Sequence, residues 1–243
     1  MSDQVKGLET ELGVRLFNRA AQRLTLTEAG REYLAVIRYA LDRIDAGTAR
    51  LVQRQNTGRL TVSISPNFSS KWLVHRLGRF AQLHPDIDLR VSAALHHVDF
   101  ANEDVDIAVR HSDGVEPELD CTRLMTEALF PVCSPGLLQG PVPLRSPEDL
   151  VHHSLLHLND RNDWSKWLDR ADLNTADLSK VPVLYQASRV IDAAVNGQGV
   201  ALARTGLAAW DLTAGRLVRP FPLALPVSYA YWIVCPPTTS NLP

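Results

Sequence analysis

The chain has 243 residues with 25 Lys+Arg against 27 Asp+Glu, a net charge of -2, and an apolar fraction of 45%. That is enough chain for a real hydrophobic core in one large or two smaller lobes, and the composition excludes disorder and collagen-like repeats. The three cysteines, Cys121, Cys133 and Cys235, are scattered without a CxxC pair, which excludes a disulfide framework or structural zinc site and points to a reducing, cytoplasmic compartment.

The first 11 residues hold Asp3, Lys6, Glu9 and Glu11 and no apolar run, so no export signal is expected. The charge-free stretch Pro220 to Pro243 is interrupted by Pro222, Pro226, Pro236 and Pro237, which argues against a membrane span. Charge is distributed unevenly. Residues 1–59 carry a net +3 and the remainder -5, and between Leu12 and Thr27 the charges are Arg15, Arg19 and Arg23 with no acid. A basic head on an acidic body fits a polyanion partner at one end, or simply a solvated arginine face.

In chain order, Val5, Leu8 and Leu12 have helical spacing and Gly13 stops the helix. Val14–Phe17 and Leu24–Thr27 flank a polar tip and read as a β-hairpin. Thr27 is the expected N-cap of a long helix, with Glu28 in its first turn. Leu34, Ile37, Leu41, Ile44, Thr48 and Leu51 then follow at alternating steps of 3 and 4, a heptad seam with charged residues outside it. Such a narrow stripe suits pairing with another helix, with a core helix of one domain as the alternative.

The pattern changes after Gly58. Leu60, Val62 and Ile64 alternate with polar residues as a strand, a helix carries Trp72, Leu73, Leu77, Phe80 and Leu83, and a second strand starts at Ile87. Asp106–Arg110 is a third, and the βαβ order predicts a parallel sheet. Strands are also expected at Leu129–Cys133, Leu155–Leu158, Val181–Tyr185, Gly199–Ala203 and Tyr229–Cys235. Helices are expected from Ser146, around Trp164–Leu168, and over Ser188–Asn196 with Ser188 as cap and Gly197 as terminator. An α/β body of two lobes binds small ligands between the lobes, at the carboxyl ends of strands.

Catalytic signatures are absent: no G-x-S-x-G, HExxH, phosphate loop or G-x-G-x-x-G occurs, so neither an enzyme nor a cofactor is expected. His96–His97 and His152–His153 with His157 raise the question of a metal. Adjacent strand residues face opposite ways, however, and no third ligand accompanies them, so no metal site is expected. The stretch Asn67, Phe68, Ser69 and Ser70 follows the first strand and opens a helix, where N–H groups and hydroxyls make an anion site, unless a serine merely caps the helix. His96, Arg110, His111 and Ser188 occupy similar strand-end or helix-start positions and complete the expected effector site. Arg110 is placed either on a ligand carboxylate or on a nearby acid such as Asp113.

Leu8-Glu-x-Glu-Leu-Gly-Val-Arg-Leu-Phe-x-Arg19 followed by Leu26-Thr-Glu-Ala-Gly30 resembles the signature of the LysR-type transcriptional regulators. In the body Ser65-Pro-x-Phe68, His84-Pro-Asp-Ile87, Asp106-Ile-Ala-Val-Arg110, Pro131-Val-Cys-Ser-Pro135, Ala193-Ala-x-x-Gly-x-Gly-Val-Ala-Leu-Ala203 and Gly215-Arg-Leu-Val-Arg-Pro-Phe221 are similar to the branch containing the glycine cleavage activator. The resemblance covers nearly the whole chain. It implies an α/β protein comprising a partial winged helix-turn-helix over 1–26, a dimerisation linker helix over 27–57 and an effector domain over 58–243. That domain would be two-lobed like the periplasmic binding proteins (type 2), with lobe 1 at 58–133 and 217–243 and lobe 2 at 134–216.

It further implies a DNA partner contacted through Gln4, Lys6, Arg19 and Arg23. A small-molecule effector, a carboxylate being the simplest candidate, is expected between the lobes, and a homodimer or homotetramer paired through Leu34, Ile37, Leu41, Ile44 and Leu51. Family members begin with helices that precede the recognition helix, whereas this chain begins inside it, so the reading head is expected to be incomplete. A last helix after Pro237 is expected to be missing, and His111-Ser-Asp-Gly-Val-Glu-Pro replaces the Gly-rich, Trp-Pro stretch usual in the branch. A solute-binding receptor of the same two-lobed fold, with no DNA role, is the alternative.

Overall fold

The computed structural model describes residues 3–18, 25–54, 58–159, 162–173 and 183–240. Its contacts divide into two compact units, 1–58 and 59–243.

In the first unit, helix α1 (Asp3–Leu12) ends at Gly13, whose φ of 67° reverses the chain. Glu9 is buried on α1 and its Oε1 accepts the N–H groups of Leu16 (2.7 Å) and Phe17 (3.0 Å), which fixes where the hairpin begins. The hairpin strands β1 (Phe17–Asn18) and β2 (Thr25–Leu26) are antiparallel. The Thr27 hydroxyl accepts the Gly30 N–H at 2.9 Å and so caps helix α2 (Glu28–Arg54) as expected. Gly30 packs directly on the backbone carbonyl of Leu16, with no room for a Cβ. On α2, Leu34 and Ile37 are half-buried, whereas Leu41 and Ile44 are 54% and 62% exposed, beside exposed Val36 and Tyr39. Arg19 and Arg23, together with the side chain of Leu51, lie outside the described residues.

The second unit contains two five-stranded sheets. The first is built from β3 (Arg59–Ile64), β4 (Asp88–Ala93), β5 (Ile107–Ser112), β6 (Asp120–Met125) and β12 (Ala230–Cys235). Its order is β4-β3-β5-β12-β6; β3 is parallel to β4 and β5, as the βαβ reading predicts, and β12 is antiparallel to β5 and β6. The segment between β3 and β4 is not one helix. A short α3 (Pro66–Phe68) passes into a π-turn over Ser69–Leu73, and α4 (Leu77–Leu83) follows.

The second sheet contains β7 (Ala128–Val132), β8 (Leu155–Leu158), β9 (Val183–Leu184), β10 (Val200–Arg204) and β11 (Leu225–Pro226), in the order β11-β7-β10-β8-β9. Strands β7 and β11 therefore pair with the second sheet, on the other side of the sequence-based divisions at 133/134 and 216/217, because β7 bonds to β10 and β11 bonds to β7. The chain crosses between sheets after Met125 and again before Ala230. Around this sheet lie α5 (Asn162–Arg170), α6 (Ala187–Val195) and α7 (Thr205–Thr213). The expected helix from Ser146 is a 3-10 turn, Pro147–His152, whose start is tied by Asp149 Oδ2 accepting the N–H groups of Arg145 and Ser146 at 2.9 Å each. A four-residue helix α8 (Pro237–Ser240), not anticipated from the sequence, closes the described chain.

Buried apolar side chains fall into two clusters. One joins Ile64, Phe68 and Tyr231 with Val132, Ile191 and Leu207, so it runs beneath both sheets. The other lies within the second lobe around Trp164, Trp167 and Phe221. The two indole N–H groups donate to Leu156 O (2.9 Å) and Leu223 O (3.4 Å), so burying them leaves no orphan donor.

The contact of Gly30 with Leu16 explains why glycine stands in the Leu26–Gly30 motif. Gly30→Ala is expected to destabilise the first unit by about 1–3 kcal/mol through overpacking. Amide hydrogen exchange checks this: protection should fall in α1 and α2 and stay unchanged in β3, β5 and β12.

Candidate effector site

A cavity of about 250 Å³ opens between the sheets, lined by Ser65, Asn67, Ala94, Leu95, His97, Arg110, His111, Ser112, Arg204, Leu207 and Tyr231. Ser65, Ala94 and Arg110–Ser112 sit at the carboxyl ends of β3, β4 and β5, and Arg204 ends β10 in the other sheet. The position is the one that open α/β sheets reserve for ligands.

Arg110 projects into this space with one Nη2 donating to Ser63 Oγ (2.7 Å) and to the His96 carbonyl (3.2 Å). Its Nε is buried without a hydrogen-bond partner. Burial lowers its pKa from the ordinary arginine value, an effect opposed by the charges of Glu103 and Glu116. His111 Nδ1 lies 3.4 Å from Arg204 Nη1, and its Nε2 is buried and unpartnered. Burial first, and the Arg204 charge second, push this imidazole down to about 4, so it is neutral at pH 7. Its ring meets those of Tyr231 (5.0 Å) and Tyr229 (5.7 Å). Burial also raises the Tyr231 phenol, which stays protonated.

The expected effector residues are only partly brought together. Asn67, Arg110 and His111 line the cavity, but Asn67 Oδ1 is occupied: it accepts the Ser188 N–H (3.1 Å) and hydroxyl (2.9 Å) from α6 in the opposite lobe. Ser188 is thus not the cap of its own helix; an asparagine from across the cleft supplies the missing acceptor. Phe68 is fully buried between Trp72 (centroids 4.8 Å) and Tyr231 (4.0 Å), a core residue rather than a ligand contact. The Ser69 N–H is consumed by Ser65 O at 2.9 Å, and the Ser70 hydroxyl donates to Asn67 O at 3.2 Å, so these two donors are already committed within the turn. His96 turns its ring outward to Glu103 (3.0 Å), and its neighbour His97 lines the cavity instead.

Sequence reasoning missed Arg204 and Tyr231. Arg204 carried the signal that singled out Arg110, a cation ending an apolar strand, but Tyr231 has no signal beyond its place in a buried strand. It also missed Lys71. This lysine reaches from the first lobe to Asp192 Oδ1 (2.5 Å) on α6 and Asp211 Oδ2 (3.2 Å) on α7, with side chains of Lys71 and Asp211 only 9% and 2% exposed. Arg216 completes the network at 2.5 Å from Asp211 Oδ1. With Ser70, His75, Ser188 and Arg189 these residues line a separate interlobe cavity. Among the described residues no cluster of His, Cys, Asp and Glu is arranged to hold a metal.

A hairpin-and-helix head joined to a two-lobed α/β body with a charged interlobe cavity defines a ligand-responsive regulator class. The profile described as LysR substrate binding domain matches residues 53–243, and that described as bacterial regulatory helix-turn-helix protein, lysR family, matches residues 1–31. The chain belongs to the LysR family of transcriptional regulators. It is 40% identical over 242 residues to the glycine cleavage system transcriptional activator of Escherichia coli (strain K12), covering all of this chain and 79% of the relative. It is 35% identical over 238 residues to the HTH-type transcriptional activator AmpR of Pseudomonas aeruginosa, covering 96% of this chain and 78% of the relative. Among solved structures, the effector domain of AmpR from Pseudomonas aeruginosa superposes with a TM-score of 0.58 at 31% identity, over 74% of this chain and 86% of that one. CrgA from Neisseria meningitidis shares the fold at a TM-score of 0.56 and 23% identity, over 97% and 82%.

Because His111 titrates near 4 when folded and near 6.5 when unfolded, the unfolded chain takes up the proton first. Stability is therefore expected to fall as pH drops from 6.5 towards 4, and His75 and His153, also lowered mainly by burial, act in the same direction. Urea unfolding across this interval should show a shallower decline for His111→Gln than for the parent chain.

Proposed function

We propose that the chain is a cytoplasmic, non-enzymatic regulator whose interlobe cavity binds a small carboxylate and whose basic head contacts DNA as part of a homo-oligomer. The observation that carries the effector reading is a pair of guanidinium groups, Arg110 and Arg204, one from each lobe, in a cavity with no Asp or Glu in its lining. Arginine matches a carboxylate bidentately, and a ligand held by both lobes binds one lobe arrangement better than another, which is how it shifts an equilibrium. That difference is the signal passed to DNA-bound protein.

The head is read as DNA-facing through exposed Gln4 and Lys6 on α1 and through Arg19 and Arg23. Lys6 is 3.1 Å from Asp3, an exposed pair that a phosphate readily displaces. Exposed Leu41 and Ile44 on α2, with Leu34, Ile37 and Leu51, form the pairing seam. No described helix is long and apolar enough to cross a membrane. The solute-receptor alternative is not favoured, since the family match includes the helix-turn-helix segment.

Calorimetric titration with two- to five-carbon carboxylates tests the effector reading. Arg204→Ala is expected to weaken binding by about tenfold to a hundredfold, the worth of one charge-assisted bond; equal affinity in both chains contradicts the assignment. The seam has its own check. Leu41→Glu combined with Ile44→Glu is expected to give monomers in sedimentation velocity where the parent chain gives dimers or tetramers.

A further inference from the structure

The charged side chains among the described lining residues are of one sign: Arg110 and Arg204 stand there without an Asp or Glu. Asn67 Oδ1 already receives two bonds from Ser188, and His111 Nδ1 faces Arg204. The nearby acids stand outside the described lining: Glu103 receives the His96 ring and the Asp99 N–H at 2.9 Å, Glu116 is 3.8 Å from His97 Nδ1, and Glu127 receives the Gly206 N–H at Oε1 (2.9 Å) with its Oε2 buried and unpartnered. An ammonium group brought into this space meets two guanidinium cations and, among the described lining residues, no carboxylate. Desolvating a cation without a partner is costly, and placing it beside like charge costs more.

We propose that the cavity selects small carboxylates that lack an ammonium group, binding hydroxy acids in preference to the amino acids of the same carbon skeleton. The inference deepens the carboxylate reading and rests on it. The two guanidiniums stand in different lobes, so a dicarboxylate engages both, while a volume of about 250 Å³ admits only small acids. The relatives include an activator named for the glycine cleavage system, yet the lining gives the ammonium of glycine no counter-charge.

Titration calorimetry on the full chain with matched pairs, glycolate against glycine, lactate against alanine and malate against aspartate, tests the inference. The hydroxy acid of at least one pair is expected to bind about tenfold or more tightly than its amino acid, the penalty of an unpaired buried cation. Amino acids binding as well as or better than their partners overturn the selectivity and leave the carboxylate reading standing. Binding by no member of any pair, to a chain shown folded by circular dichroism, overturns the carboxylate reading and the selectivity with it. Ala94→Asp, which adds an acid to the lining, is expected to narrow or invert the order; an unchanged order contradicts the electrostatic explanation.

Discussion

The interlobe cavity depends on Lys71 being held between Asp192 and Asp211. A lysine this deeply buried persists only with a counter-charge, and here the counter-charges come from two helices of the opposite lobe. Asp211 is equally confined, and Arg216 shares it. Separating the lobes at this point strands the buried Lys71 cation, while Asp211 keeps Arg216, so the network resists opening. Ion pairs of this kind add little net stability over an apolar substitute; what they supply is one preferred arrangement.

The Asn67 bridge to Ser188 stands beside that clamp and divides the space between the lobes. Asn67 lines one cavity and Ser188 the other. On the Ser188 side Asp192 and Asp211 pair with Lys71 and Arg216, whereas the described lining on the Asn67 side holds Arg110 and Arg204 without an acid. One compartment thus has its ion pairs within it and the other has two cations with no acid in its described lining. The neutral state of His111 follows first from its burial, and the Arg204 charge beside it acts in the same direction. In the proposed reading a bound carboxylate would answer that deficit and tie together the same two lobes as the clamp.

Most of the fold was legible because it rests on short-range patterns. The alternation of Leu60, Val62 and Ile64, the Thr27 cap and the Gly197 terminator each specify a local conformation, and each is found. Sheet membership was less legible: β7 reads as a strand, but its pairing with β10 joins residues about 70 positions apart, a long-range choice that local pattern does not encode. The helix after β3 breaks into a π-turn, which places Lys71 on the interlobe face while Phe68 enters the core. At the site, the strand ends place Arg110 and His111 in the cavity lining, whereas Phe68 enters the core and Ser188 faces the second cavity because neighbouring residues claim an aromatic face or a donor, which no reading of one segment reveals.

Family membership gives a LysR-type transcriptional regulator with an effector-binding domain, and the proposed contact of a small carboxylate with both lobes is the central claim. A crystal structure of the chain grown in malate tests it most directly. The account predicts ligand density between β5 and β10, with carboxylate oxygens within hydrogen-bond distance of both the Arg110 and Arg204 guanidinium groups. A ligand seated only in the Lys71 compartment, or a cleft left empty at saturating malate by a chain that binds malate in solution, would contradict it.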